Sequence, residues 1–254
     1  MPTISPNAIV AQGAQLAGDV VVGSFSYIGP QVTLSSGCII ENNVSITGRT
    51  TLGPRNHVFP MAVIGASQDG CDAQTECVTG EDNCIREHVT IYGGVGAPTR
   101  LGSDILIMID SHVGGGATIG DHCIFANCSH VACEAVVEDY VRTSGFAAID
   151  RGVRVGAYSF IGGFTGIDRD APPFAMLLGF PYRVRGVNTQ NLKRCGFCDD
   201  DIQALKDAFR EIFNGQCEGP NEQAIARMLA ETNLNPRIRR LIDAIQAGER
   251  RRRQ

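Results

Sequence analysis

The chain is poor in the residues that mark several large classes of protein. It has no tryptophan, only 6% aromatic residues, and no apolar run near the ~20 residues that a membrane-spanning helix needs. Acidic residues outnumber basic ones by 27 to 22, and a net charge of −5 argues against nucleic acid as a general partner. The basic run from Arg250 to Arg253 is expected to be a solvated chain end, with a docking patch for an acidic partner as the alternative. Because the repeat described below begins within the first residues and leaves no space for a signal peptide, we expect a cytoplasmic protein.

Ten cysteines are present, but their setting argues against disulfides and against a metal. The chain has no export signal and carries a long apolar repeat, unlike a small disulfide-stapled secreted protein, so we expect reduced thiols. Cys195 and Cys198 form one C-x-x-C with no second pair nearby, and one pair cannot fill a tetrahedral zinc site. We therefore predict neither a metal nor a cofactor.

The chain does have an aliphatic residue at nearly every sixth position over two long stretches. This period fits neither an amphipathic helix nor a flat sheet. It is typical of a left-handed parallel β-helix, in which three hexapeptides form one triangular coil and each sixth side chain points inward. At 18 residues per coil, the two stretches predict about eight coils. They carry Ile4, Val10, Leu16, Val22, Ile28, Leu34, Ile40, Ile46, Leu52, Val58 and Ile64, and then Leu101, Ile107, Val113, Ile119, Phe125, Val131, Val137, Thr143, Ile149, Val155, Ile161 and Ile167.

Two excursions and a change of period divide the chain. Residues 66–84 and 93–100 lack the repeat, and we expect them to be loops on the prism. We predict a β-helix over 1–186 and a C-terminal α-helical domain over 187–254, where the period becomes 3.6. We predict a helix capped by Asp199 or Asp200, and further helices near 221–231 and 236–247. The apolar face of the first would hold Ile202, Leu205, Ala208, Phe209 and Ile212.

Several motifs together carry a resemblance to a known family over nearly the whole chain. They are the paired repeats, the two excursions, Gln68-Asp69, the stretch from Ile85 to Thr90, and Gly186-Val-Asn-x-x-x-Leu-Lys-Arg-x-Gly-Phe197. In these the chain resembles UDP-N-acetylglucosamine O-acyltransferase, a cytoplasmic enzyme of lipid A synthesis in Gram-negative bacteria. The resemblance implies a homotrimer with sites between neighbouring prisms, which moves a 3-hydroxyacyl group from acyl carrier protein to the 3-hydroxyl of the sugar.

The resemblance also implies a catalytic histidine that this chain lacks. The family motif reads Ala-His-x-Ala-His-Asp, with the second histidine as general base and the aspartate orienting it. Here the stretch reads Ser-His-Val-Gly-Gly-Gly, so His112 is retained, Gly115 stands at the position of the base and Gly116 at that of the aspartate. Glycine has no side chain, and losing a positioned base costs ~10²–10⁴ in rate.

The residues that the resemblance assigns to the nucleotide are partly kept. Asn188 and Arg194 match residues that hold the UDP portion. Gln190 replaces a glutamate, and Cys195 replaces a second arginine. We therefore expect retained but altered binding of a UDP-sugar.

Other substrate residues implied by the resemblance lie along the prism. Gln68 and Asp69 belong to the matching motif, whereas Glu134 and Asp150 replace two histidines of the family's cleft. Gly163 matches a position that leaves the acyl channel open to longer chains, and a glycine needed to turn a corner is an equal alternative.

His112 and His130 are the candidates for a relocated base. Both occupy the last position of a hexapeptide and they differ by 18 residues, so we expect them to stack on one ridge at about the strand spacing. Three readings of the pair are open. It is a surface pair bonded to its neighbours, a base oriented by Glu134 or Asp150, or part of a metal site, although the three converging histidines of a zinc enzyme on this fold are missing.

Three functions follow from these observations. The first is a paralogue that binds a UDP-sugar, an acyl group or acyl carrier protein but has lost or strongly reduced acyl transfer. The second is an active acyltransferase on UDP-N-acetylglucosamine or a related sugar nucleotide, with a shifted base. The third is a structural or regulatory trimer that associates with an active acyltransferase of the same family.

Overall fold

The main element of the computed structural model is a prism of short parallel strands; the structure describes residues 1–70, 74–213 and 220–252. The first strands are β1 (Thr3–Ile4), β2 (Ile9–Val10), β3 (Gln15–Leu16), β4 (Val21–Val22), β5 (Tyr27–Ile28), β6 (Thr33–Leu34), β7 (Ile39–Ile40), β8 (Ser45–Ile46), β9 (Arg49–Leu52), β10 (His57–Val58), β11 (Val63–Ala66), β12 (Glu76–Thr79), β13 (Cys84–Ile85) and β14 (Thr90–Tyr92). The next are β15 (Thr99–Leu101), β16 (Leu106–Ile107), β17 (His112–Val113), β18 (Thr118–Ile119), β19 (Ile124–Phe125), β20 (His130–Val131), β21 (Val136–Val137), β22 (Arg142–Thr143), β23 (Ala148–Ile149), β24 (Arg154–Val155), β25 (Phe160–Ile161) and β26 (Gly166–Ile167).

Every third strand lies on the same face, so the prism has three faces. The first face begins with β1, β4 and β7, the second with β2, β5 and β8, and the third with β3, β6 and β9. Parallel pairing places Thr3 opposite Val21 and Val21 opposite Ile39, which is the predicted 18-residue step. The antiparallel pair β27 (Ala175–Leu178) and β28 (Arg183–Val187) ends the first face. The left-handed parallel β-helix is confirmed, with about ten turns instead of about eight, because β12 to β14 continue the prism between the two aliphatic stretches and β27 extends the first face in parallel with β25.

The core is the column of side chains that point into the prism. In each two-residue strand from β4 onward the second residue is the buried one, as Val22, Ile28 and Leu34 show. Removing apolar surface from water is worth roughly 25 cal/mol per Å², so this column is the main stabilising feature. The first residues of the strands point outward and are half-buried or exposed, and two of them, His112 and His130, belong to the candidate site.

Residues with positive φ form the edges between faces. Asp104, His122, Tyr140 and Tyr158 have φ of 55°, 59°, 59° and 62° at one such edge. Side chains with left-handed backbone cost roughly 1–2 kcal/mol each. Stacking offsets part of this cost, since the ring centroids of His122 and Tyr140 lie 4.6 Å apart and those of Tyr140 and Tyr158 4.9 Å apart.

The excursions are shorter than predicted. Within 66–84, strand β12 pairs with β9 and β15, and β13 continues the first face. Buried Cys77 and Thr79 take inward positions there, and the aliphatic pattern missed this strand because neither residue is aliphatic. Residues 71–73 of this excursion lie outside the described residues. In the second excursion β15 begins at Thr99, so the loop covers 93–98.

Four helices follow the prism: α1 (Thr189–Arg194), α2 (Asp199–Ile212), α3 (Glu222–Leu229) and α4 (Pro236–Arg252). Helix α2 buries the five residues that the period predicted. Its N-cap is Cys198, whose sulfur accepts from the backbone N–H of Asp201 at 3.4 Å, so the predicted start at Asp199 or Asp200 as cap is wrong by one residue. Helix α1 was missed because six residues are too few to show a period.

Part of the C-terminal arginine run contacts the prism. Helix α4 continues to Arg252, and Arg251 donates to the Asp170 carboxylate at 2.7 Å. Earlier in α4, Arg240 pairs with Glu138 at 3.1 Å. Each exposed pair contributes little stability, about 0–1 kcal/mol, but together they fix α4 over the last coils. The expectation of a solvated end is wrong for Arg251, and Arg253 lies outside the described residues.

Within the described ranges, no helix is long and apolar enough to cross a membrane. The cysteines of these ranges are all free thiols. Cys71 and Cys217 lie outside the described residues.

Candidate active site

The retained histidine lies on the second face of the prism. His112 in β17 and His130 in β20 are directly opposite each other in parallel register. Their ring centroids are 4.8 Å apart with the planes 26° from parallel. The predicted stack of the two imidazoles is confirmed.

His112 is held from the preceding coil. Its Nδ1 lies 2.7 Å from the hydroxyl of Thr90 in a hydrogen bond, and the ring of Tyr92 meets it edge-on at 4.9 Å. Burial, and secondarily the neighbouring His130, lower the pKa of His112 to about 4. The imidazole is therefore neutral at pH 7 and able to accept a proton, although such a low pKa makes it a weak base.

Thr90 orients His112, and the carboxylates considered from sequence do not. Glu134 instead pairs with Arg151 at 2.7 Å, and this hydrogen bond lowers the pKa of Glu134. The side chain of Asp150 is exposed at the end of β23. The expected orientation by Glu134 or Asp150 is wrong. Thr90 was missed because the second excursion lengthens its spacing from His112 to 22 residues.

Backbone occupies the position where the side chain of a base would begin. A Cβ atom on Gly115 would lie 2.8 Å from the carbonyl oxygen of Gly93. A Cβ atom on Gly94 would lie 2.7 Å from the backbone nitrogen of Gly116. Real Cβ atoms do not approach backbone so closely, so the two chain segments pack directly against each other. We call Gly93, Gly94, Gly115 and Gly116 the glycine seam.

The loop side of the glycine seam is anchored by hydrogen bonds. Gly94 and Glu76 exchange both backbone bonds, at 2.9 and 3.0 Å. The N–H of Gly116 donates to the Thr99 hydroxyl at 2.8 Å. Separating the two segments of the glycine seam would break hydrogen bonds of both, so these bonds stabilise their close packing.

One edge of the prism, between the second and third faces, gathers most of the predicted substrate residues. The excursion with Gln68 and Asp69 leaves β11 at this edge, and the glycine seam lies on it two coils further. Glu134 and Asp150 follow on the next two coils. Gln68 and Asp69 are exposed. Within these described residues, no three His, Cys, Asp or Glu side chains converge as a metal would require.

The predicted nucleotide residues lie at a different edge, between the third and first faces. The side-chain amide of buried Asn188 donates to the carbonyl of Tyr158 at 2.8 Å, which anchors the start of α1. Gln190 and Arg194 are exposed on the same helix. The structure thus brings these three residues together, but at another edge of the protomer from His112.

Gly163 lies at the third edge, between the first and second faces. A Cβ atom there would lie 3.4 Å from the Gly145 carbonyl and 3.5 Å from the Ser144 hydroxyl, which is ordinary contact. Neighbouring Phe146 and Phe164 stack at 4.9 Å and are both exposed. Crowding does not require glycine at 163, which weakens the explanation that a corner demands it.

Sequence profiles and a curated relative agree on one family. The profile described as UDP N-acetylglucosamine O-acyltransferase, domain 2, matches residues 170–252, and the bacterial transferase hexapeptide profile matches 98–133. The acyl-[acyl-carrier-protein]–UDP-N-acetylglucosamine O-acyltransferase of Syntrophobacter fumaroxidans is 35% identical, covering 97% of this chain and 98% of its own. The chain belongs to the UDP-N-acetylglucosamine O-acyltransferase family.

Further relatives extend this family match along both parts of the chain. The UDP-N-acetylglucosamine O-acyltransferase of Stutzerimonas stutzeri is 34% identical over 98% of each chain. The solved structure of LpxA from Acinetobacter baumannii superimposes with a TM-score of 0.89 at 32% identity, covering 97% of this chain and 98% of the other. The prism and the helical tail are therefore both shared with the O-acyltransferase family.

Proposed function

We propose that the chain binds a UDP-sugar and acyl carrier protein but has lost, or strongly reduced, acyl transfer. In the reaction of its relatives, a sugar hydroxyl attacks the thioester carbonyl and gives up its proton, while the carrier thiol leaves. A general base must take that proton. The glycine seam carries the proposal, because Gly115 offers no acceptor and the Gly93 carbonyl lies 2.8 Å from where its Cβ would be.

Retained polar residues support ligand binding in this proposal. Asn188 and Arg194 are kept on α1, and Gln68 and Asp69 are exposed on the edge that carries the glycine seam. The two relatives are named as O-acyltransferases that use acyl-[acyl-carrier-protein] and UDP-N-acetylglucosamine. We extend these two ligand classes to this chain.

A homotrimer in the cytoplasm, as the resemblance implies, completes the proposal. Exposed apolar side chains line the edge between the first and second faces, where a neighbouring prism would cover them. They are Phe25, Met61, Phe146 and Phe164, with 67%, 49%, 55% and 76% of their surface exposed. Light scattering of the purified protein should give the mass of three chains, and a monomeric mass would contradict the assembly.

A direct assay tests the loss of transfer. We expect 3-hydroxyacyl transfer from acyl carrier protein to UDP-N-acetylglucosamine to run at least about 100-fold slower than with the Syntrophobacter fumaroxidans relative. Calorimetry should show UDP-N-acetylglucosamine binding to both proteins. Turnover within tenfold of the relative would reject the loss of acyl transfer. Undetectable binding of UDP-N-acetylglucosamine would reject the retained ligand binding.

A second candidate function is an active acyltransferase that uses His112. The hydrogen bond to Thr90 and the stack on His130 favour it, because they hold the ring in one orientation. With a pKa of about 4, this base would keep the rate constant from pH 8 down to about pH 5. His112→Ala should then abolish turnover, and His130→Ala should reduce it. Full activity in both variants excludes the shifted base.

A further inference from the structure

Arg142 presents a guanidinium that lacks a partner at Nε. It lies in β22 on the first face, with its backbone opposite Ile124 and Phe160 on the adjacent strands. Its Nε atom is buried, and across residues 1–70, 74–213 and 220–252 no group accepts a hydrogen bond from it. A buried donor without an acceptor costs free energy, and the cost is larger when the group is charged. The rest of the Arg142 side chain is partly exposed, so its terminal nitrogens can be offered to an anion from outside the chain.

The guanidinium of Arg142 lies beside the end of α1. Asn188 and Asn191 donate to the carbonyls of Tyr158 and Tyr140, which fixes α1 against the edge next to β22. Cys195 follows α1; burial raises the pKa of its thiol, and the nearby Arg142 charge opposes this rise. The two side chains therefore lie within electrostatic reach of each other.

Cys195 is also the position where the resemblance places a second arginine. The chain has thus lost a guanidinium from the helix side of this junction and carries one on the prism side. The small thiol leaves the long side chain of Arg142 and a ligand more space than an arginine at 195 would. Arg194, exposed on the same helix, adds a positive charge nearby.

We propose that Arg142 replaces the missing arginine and binds the diphosphate of a UDP-sugar at the junction of β22 and α1. The inference rests on the proposed function, since it identifies the group that holds the nucleotide. A guanidinium forms two parallel hydrogen bonds to a phosphate and stays charged at every physiological pH. The bound diphosphate would accept from the terminal Nη groups of the partly exposed Arg142 side chain.

Arg142→Met tests this assignment, because methionine keeps much of the volume and removes the charge. By calorimetry on the full-length protein, the variant should bind UDP-N-acetylglucosamine and UDP at least about tenfold more weakly than the wild type. Affinity for uridine, which has no phosphate, should not change. Arg183→Met is the matched control on an exposed arginine in β28, and it should bind UDP-N-acetylglucosamine as the wild type does.

A charge swap separates binding from a structural role. Adding Cys195→Arg to Arg142→Met should restore most of the lost affinity, which repacking alone would not do. The melting temperature of Arg142→Met without ligand should equal or exceed that of the wild type, because the buried Nε donor that has no acceptor is removed. A folded double variant without rescue would overturn the replacement.

The remaining outcomes distinguish this inference from the proposed function. If Arg142→Met binds UDP-N-acetylglucosamine as tightly as the wild type, the inference fails and the proposed function stands. If the wild type binds no UDP-N-acetylglucosamine, the proposed function fails. Calorimetry with pyrophosphate then tests whether Arg142 forms an anion site. Pyrophosphate binding that Arg142→Met removes would support the anion site, whereas no pyrophosphate binding would overturn it.

Discussion

The two parts of the candidate site differ in how they depart from the family pattern. At the edge with the glycine seam, side chains have given way to backbone, and Gly93 and Gly115 pack at a distance that excludes a Cβ atom. At α1, polar side chains persist, with Asn188 anchored to the prism and Arg142 beside Cys195. Under the proposed function, chemistry and nucleotide binding fall on different edges of one protomer, so a chain that loses the first keeps the second.

The strongest test of this contrast is to put the missing pair back. We expect Gly115→His with Gly116→Asp to leave turnover at least about 100-fold below that of the Syntrophobacter fumaroxidans relative. The histidine Cβ would meet the Gly93 carbonyl at 2.8 Å, so the seam would have to open before the ring could be placed. Asn43→His, at an exposed corner of an N-terminal coil, controls for an added surface histidine. Turnover at the level of the relative in the double variant would show that the seam yields easily.

The tightness of the glycine seam is tested by Gly94→Ala. The new Cβ would lie 2.0 Å from the Ala97 carbonyl and 2.7 Å from the Gly116 nitrogen, so we expect a loss of about 2–3 kcal/mol in the free energy of unfolding. Gly145→Ala is the matched control, with its nearest atom at 3.4 Å, and should cost no more than about 1 kcal/mol. Urea denaturation measures both. Equal losses would mean that the seam is not packed more tightly than an ordinary corner.

Protonation of His112 makes the free energy of unfolding depend on pH. Its folded pKa of about 4 lies below the ordinary 6.5, so between these values the unfolded chain binds the proton first. Stability should therefore fall as the pH drops from 6.5 towards 4. Allowing for partial exposure, we expect His112 to account for about 1–2 kcal/mol between pH 7 and pH 4.5. His112→Gln should lack this share in urea denaturation at the two pH values, and an unchanged pH dependence would contradict the assignment.

The smallest expected effect concerns the third edge. Gly163→Met should shift binding towards shorter acyl chains on the carrier protein by a few-fold, since the resemblance places the acyl channel there. The ordinary 3.4 Å contacts predict a stability change within about 1 kcal/mol. Affinities for two acyl carrier proteins of different chain length provide the measurement, with unchanged UDP-N-acetylglucosamine affinity as the control. An equal loss for both chain lengths would assign Gly163 to the structure alone.

Much of the fold could be predicted because a β-helix requires an inward-pointing side chain at every sixth position of the sequence. Inward positions such as Ile28 and Ile64 recur every six residues. Strand β12 escaped prediction because Cys77 and Thr79 fill inward positions without being aliphatic. Helix α1 escaped because six residues with Leu192 as their one buried apolar side chain are too few to show a period, and Asn191 bonds the helix to the prism.

The candidate site could be predicted only where the 18-residue step holds. It placed His130 over His112 correctly. It could not place Thr90, which the excursion moves to a spacing of 22 residues. Loop packing carries no period, so the approach of Gly93 to Gly115 was hidden, and so was the position of Arg142 beside Cys195.

Register across the excursions has a consequence for how such proteins diversify. His57 still faces Cys84, although 27 residues separate them, and Thr90 still faces His112. Inserted chain leaves and re-enters at one corner, and the strands on either side pair as if nothing had been added. Insertions, deletions and substitutions in a single corner loop can therefore add or remove an activity. The hydrogen bonds between the strands, which keep the molecule folded, stay as they are.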